Sequence, residues 1–176
     1  KAIKLPLSVS YRCAKSIVRE AQKIVPEISY APHAIEGEVR DGSLLELDDG
    51  DWILCRNLKP LVQTYLWLMK NKIKSKIRGK EIGEGILALI SKTGGKTIDG
   101  LLRNLDLEKE KLHNKLKQRG VKRPNLHPKM EVLMQKIEVI ECLCEEVDTV
   151  KDLRNLISNI FSDEVKGILL STIHKA

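Results

Sequence analysis

Two short apolar runs, Trp52-Ile53-Leu54-Cys55 and Gly167-Ile168-Leu169-Leu170-Ser171, stand far apart in the chain with a long strand-free stretch between them. A continuous apolar run bounded by polar residues reads as a strand buried on both faces of a parallel sheet. Parallel strands cannot be joined by a hairpin and need a crossover, usually a helix. The crossover comes at once. Leu61, Val62, Tyr65, Leu66, Leu68 and Met69 predict a helix over 60–72, with Pro60 in its first turn. Residues 73–78 then alternate isoleucine with basic residues, as a further strand would. This is an α/β pattern.

From residue 80 the period changes. Ile82, Ile86, Leu89 and Ile90 mark one helix, ended by Gly94-Gly95. Ile98, Leu101, Leu102, Leu105, Leu112 and Leu116 mark a second, and Met130, Leu133, Met134, Ile137, Ile140 and Cys144 a third. Thr149 and Asp152 have capping-box spacing before Val150, Leu153, Leu156, Ile157 and Ile160. The reading is an α/β sheet domain over 1–79 and 164–176, interrupted by an all-helical insertion over 80–163. At the other end, Leu5–Tyr11 alternates like a strand, and a helix from Ala14 to Val25 is stopped by Pro26. Residues 30–51 are turn-rich, with 44–47 predicted as a short strand in a hairpin with the run that begins at Trp52.

Composition narrows the function classes. With 42% apolar residues the chain can build a core. Its 31 basic against 24 acidic residues leave a net +7, which favours polyanionic partners such as nucleic acid. Aromatics are only 3%, too few for a module that grips single strands mainly by stacking on its own rings. The four cysteines, Cys13, Cys55, Cys142 and Cys144, lack zinc spacing and read as free thiols, buried, in a reducing compartment. No run has the length of a membrane span. Lys1 stands where an initiator Met would, without a signal peptide, so the expectation is an excised, cytoplasmic piece. Gly95-Lys96-Thr97 is not a phosphate loop: Ile90 stands where the first glycine belongs, and a helix precedes it where a strand is required.

Three segments carry a resemblance. Leu7-Ser-Val-Ser-Tyr11-Arg12-Cys13-Ala-Lys-Ser-Ile17-Val18, Ile53-Leu54-Cys55-Arg56-Asn57-Leu-Lys-Pro60, and Gly167-Ile-Leu-Leu-Ser-Thr172-Ile173-His174-Lys175-Ala176 occur in the order seen in the second RecA-like lobe of UvrD/Rep-type superfamily-one DNA helicases. The chain resembles that family over 1–79 and 164–176, and over 80–163 by the position of a helical subdomain. The last segment stops where Lys-Gly-Leu-Glu would continue the family's motif. The resemblance implies that Tyr11 stacks on adenine and that Arg12 is an arginine finger reaching the γ-phosphate. It implies that Arg56, Asn57, Thr172 and His174 contact single-stranded DNA. ATP and Mg²⁺ would be held mainly by a first lobe outside this sequence, so this piece alone would be inactive. The parent would be a DNA helicase of repair or replication. Val9-Ser10 stands where the family often has Gln-Asn, so no adenine contact is expected from those two positions.

Residue by residue, plainer readings stand beside these: a polar strand end for Tyr11-Arg12, Arg56-Asn57 and His174, and an edge-strand guard for the alternating Lys70, Lys72, Lys74, Lys76, Arg78 and Lys80. The cluster Lys115, Lys117, Arg119, Lys122 and Arg123 reads as a solvated helix tip, with duplex DNA contact as its second reading. The rival for the whole chain is a non-catalytic basic α/β module that binds nucleic acid.

Overall fold

Ser10 closes a two-residue strand, β1 (Val9–Ser10), which pairs in parallel with β2 (Ser29–Tyr30) through helix α1 (Lys15–Gln22). These elements come from a computed structural model that describes residues 8–161 and 166–173. They belong to the first of two compact units, Lys1–Glu46 and Leu47–Ala176. The predicted strand over 5–11 is thus shorter, and its first three residues lie outside the described ones. Helix α1 ends at Gln22 rather than at Val25. Ile24 and Val25 are exposed, so extending the helix would bury nothing to offset the cost of ordering it. The predicted strand over 44–47 is corrected to a 3-10 turn at Leu44–Glu46. Ser43 Oγ accepts from Leu45 N–H at 3.3 Å, a local bond that competes with a strand ladder.

The second unit runs β3 (Trp52–Cys55), α2 (Leu58–Lys70), β4 (Ser75–Ile77), α3 (Lys80–Thr93), α4 (Ile98–Gln118), α5 (Pro128–Cys144), α6 (Val150–Ile160) and β5 (Ile168–Thr172). Its sheet is parallel, in the order β3-β5-β4. The expected α/β class with parallel strands is what folds. However, the strands form two separate sheets, not one.

The last strand in sequence takes the middle of the sheet, and it is covered on both faces. Ile168, Leu169, Leu170 and Ser171 are all buried. Trp52 lies opposite Leu169 on one side, and Ser75 opposite Ile168 on the other. For β3 the expectation of burial on both faces is corrected. Trp52 and Leu54 are exposed, while Ile53 and Cys55 are half-buried, the alternation of a strand covered on one face. Strand β4 is an end strand, but of the alternating basic residues expected along it only Lys76 lies in the strand, while Lys74 and Arg78 flank it and Lys80 opens α3. Its edge is not bare, since Ile77 bridges to Phe161 and Lys76 Nζ donates to the Asn159 carbonyl at 2.7 Å. Lys70 and Lys72 fall outside the strand, at the end of α2 and in the turn after it.

Helix α2 packs against all three strands and against α5. It buries Leu58, Leu61, Val62, Tyr65, Leu66 and Leu68. The block between β4 and β5 is helical through residue 160, and its helices share one core with the sheet. Ile86, Ile90, Leu101, Leu105, Ile140, Leu143 and Ile157 cluster with Leu61, Leu68 and Leu170. Local signals end these helices where expected. Thr97 Oγ1 accepts from Gly100 N–H, and Thr149 and Asp152 close the predicted cap. The Gly94-Gly95-Lys96-Thr97 segment is accordingly a helix-to-helix turn. Gly167, at φ +89°, leaves no room for a side chain, because a Cβ there would collide with the Lys74 carbonyl.

Candidate nucleic-acid interface

In a parallel sheet all strands end at the same edge, and here the polar residues of all three strands collect there. Arg56 and Asn57 follow β3, Thr172 closes β5, and Arg78-Gly79 follow β4. Two backbone bonds hold the strand ends together: Ile173 N–H donates to the Cys55 carbonyl at 3.1 Å, and Arg78 N–H donates to the Leu170 carbonyl at 2.8 Å. Gly79 then turns the chain into α3 with φ +123°, a conformation that costs other residues dearly.

Three of the four residues expected at DNA meet in one cleft of about 360 Å³ at this edge: Arg56, Asn57 and Thr172. His174 lies outside the described residues. Asn57 is the residue before α2, a position where asparagine usually caps, yet its side chain accepts no bond from the helix. Pro60 in the same turn has no N–H to offer. The Asn57 amide is therefore left to the cleft, next to the positive end of the α2 dipole.

The opposite wall was not legible in the sequence. It comes from the start of α3, with Glu81 and Ile82, and from α5, with Glu131, Val132, Gln135 and Lys136. No motif marks these residues, because they are the ordinary polar and rim positions of amphipathic helices. Lys136 is held by its bond to the Gly85 carbonyl at 3.1 Å. A side chain at 85 would crowd it, since a Cβ there would sit 2.9 Å from Nζ. A second hollow adjoins, sharing Asn57, Glu131 and Gln135 and reaching Asn125 and Leu126. Asn125 Oδ1 is 2.9 Å from His113 Nδ1, on α4.

Tyr11 and Arg12 belong to the other unit, at the turn between β1 and α1. Cys13 N–H donates to Ser10 Oγ at 3.3 Å and shapes this turn. Both side chains are exposed, Tyr11 at 75%. The tyrosine ring lies beside His33, 6.4 Å between centroids and tilted by 39°. His33 follows β2 as Tyr11 follows β1, so the two parallel strand ends present two rings that sequence spacing did not connect. Behind them, Arg19 pairs with Glu36 and packs over Tyr30 at 5.7 Å. That pairing raises the arginine further and holds the Glu36 carboxyl below its usual range, chiefly through their shared hydrogen bond.

Within the second unit Arg78 lies over the Trp52 ring at 5.5 Å, a cation–π contact across the strands. All four cysteines are free as expected, but the expected burial holds only for Cys142; Cys13, Cys55 and Cys144 are half-buried. Burial pushes the Cys144 thiol up to about 11 and raises Cys142 as well. Among the described residues no His, Cys, Asp and Glu group is arranged to hold a metal ion, and no helix is long and apolar enough to cross a membrane. No protein-family model, curated protein or solved structure matches the chain.

Proposed function

We propose that this chain is the second motor lobe of an ATP-dependent DNA helicase, gripping single-stranded DNA at the carboxyl edge of its sheet. The observation that carries the reading is the meeting of Arg56, Asn57 and Thr172, from segments far apart in sequence, on one cleft. A guanidinium and a hydroxyl at strand ends, beside a helix N-terminus, suit the oxygens of a phosphodiester backbone, and the Asn57 amide between them can bond either backbone or base. The net charge of +7 favours the same partner.

Arg12 is the residue assigned to ATP. Its side chain is exposed at a strand-to-helix turn and enters no ion pair among the described residues. A planar, permanent cation of this kind stabilises the charge that spreads over a phosphoryl group in transfer. Tyr11 offers an open ring face for adenine. In this reading ATP and Mg²⁺ are held mainly by a first lobe that this sequence does not contain. Mg²⁺ there neutralises the developing charge on the phosphate oxygens.

The test is a protein that joins this chain to its first lobe. Arg12→Ala should leave nucleotide binding nearly unchanged and lower DNA-stimulated ATP turnover by about 10³-fold or more. Unchanged turnover would remove the finger. The pairing of β1 with β2 in a sheet of their own favours the second reading, a non-catalytic basic nucleic-acid-binding module. That module would bind DNA equally well with no first lobe and confer no turnover.

A further inference from the structure

The cleft that holds Arg56 and Thr172 is not built for phosphate throughout. Beside Arg56 and Lys136 it carries two carboxylates, Glu81 from α3 and Glu131 from α5. One of the three N–H bonds of the Lys136 ammonium already goes to the Gly85 carbonyl. An anion drawn inside would meet the carboxylate of Glu131, whose repulsion is less screened in a cleft than in open water. What the cleft does offer is branched aliphatic surface from Leu58, Ile82 and Val132, with the amides of Asn57 and Gln135 beside it. Apolar walls with a few convergent donors and acceptors, at this volume, suit a small planar ligand. Of the parts of a DNA strand, only the base has apolar faces and a hydrogen-bonding edge.

We infer that this cleft takes one unstacked nucleobase of the bound strand, with the flanking phosphates outside at Arg56 and Thr172. The two amides each donate and accept, so they can bond any base. Glu131 only accepts when ionised, which favours bases with an exocyclic amino group over thymine. Cytosine and adenine therefore fit best. The inference rests on the DNA reading above and deepens it, since it makes the helical block part of the strand's binding site.

The test measures binding of the protein to three labelled single strands of equal length and charge: oligocytidine, oligothymidine and an abasic strand. Oligocytidine should bind about tenfold tighter than the abasic strand, with oligothymidine between them. Val132→Trp fills the cleft from a position that is 55% exposed, so the fold is not burdened. It should bring oligocytidine down to the abasic affinity and leave the abasic affinity unchanged. Gln135→Ala, a milder change, should lower oligocytidine binding alone. Equal loss of both strands in Val132→Trp would mean that the cleft holds backbone, and an unchanged preference would mean that bases are held elsewhere. Either result overturns the inference while leaving the DNA reading intact. If no strand binds even at low salt, the DNA reading fails and this inference fails with it.

Discussion

Ile173 donates its backbone N–H to the carbonyl of Cys55 at 3.1 Å. That bond carries the β3–β5 ladder one step beyond the Cys55–Thr172 pair, so Thr172 ends beside the start of the Arg56-Asn57 loop. The two chain segments with the sharpest polar strand ends are thereby brought to one edge by backbone geometry, whatever their side chains do.

If Arg56 neutralises a backbone phosphate, Arg56→Ala should weaken single-strand binding about uniformly across sequences. It should also reduce the slope of log affinity against log salt by about 0.7, the value for one phosphate contact on a single strand. Anisotropy titrations at several salt concentrations measure both. A loss of affinity with no change in slope would assign Arg56 to something other than phosphate.

Gly167 should be the least replaceable glycine of the second unit. Gly167→Ala meets both a positive φ and a collision with the Lys74 carbonyl, whereas Gly50, at φ +96°, has open space around it. Gly50→Ala should cost about 1–2 kcal/mol from backbone strain alone. Gly167→Ala should cost about 3 kcal/mol or more, as the collision pushes on the ladder of the central strand. Urea denaturation of the two variants gives the comparison, and equal losses would show that β4 can yield.

Cys144 should be a slow thiol. With its ionisation pushed up to about 11 by burial, and secondarily by Glu141, little thiolate exists at neutral pH. Disulfide-reagent labelling at pH 8 should find Cys144 in the folded chain slower than in the urea-unfolded chain by about an order of magnitude, the lower thiolate fraction being partly offset by the greater nucleophilicity of a more basic thiolate. The sign for stability comes from the raised value. The folded state holds this proton more tightly, so the contribution is complete below the ordinary thiol range. It is lost as pH rises from that range through about 11. Replacing Cys144 by serine should flatten that part of the stability profile.

Thr149 Oγ1 accepts the Asp152 N–H at 3.1 Å and donates to the Asp152 carboxylate at 2.6 Å. Thr149→Ala should therefore destabilise the second unit by about 1 kcal/mol, read as a shift in the denaturation midpoint. A shift within error would mean that water satisfies the helix end as well as the hydroxyl does.

Much of this protein was decided locally and could be read from the residues alone. The helices α3 to α6 arise from residues that repeat at the helical period, and two of their ends from Gly94-Gly95 and from Thr149 with Asp152, because caps and turns depend on near neighbours. Strand β5 was legible for the same kind of reason: the run Ile168-Leu169-Leu170 reads as a buried strand, although its place in the middle of the sheet does not follow from that run. Other features needed the folded chain. Trp52–Cys55 has the same apolar character as β5, yet it lies at an edge with Trp52 and Leu54 exposed. Which of two similar runs is covered twice depends on what packs against it. Residues 44–46 had enough apolar character for a strand but found no partner. The wall that α5 gives the cleft, through Glu131, Val132 and Gln135, left no trace in the sequence, because juxtaposition across a fold is set by how helices pack, not by the residues on either side along the chain.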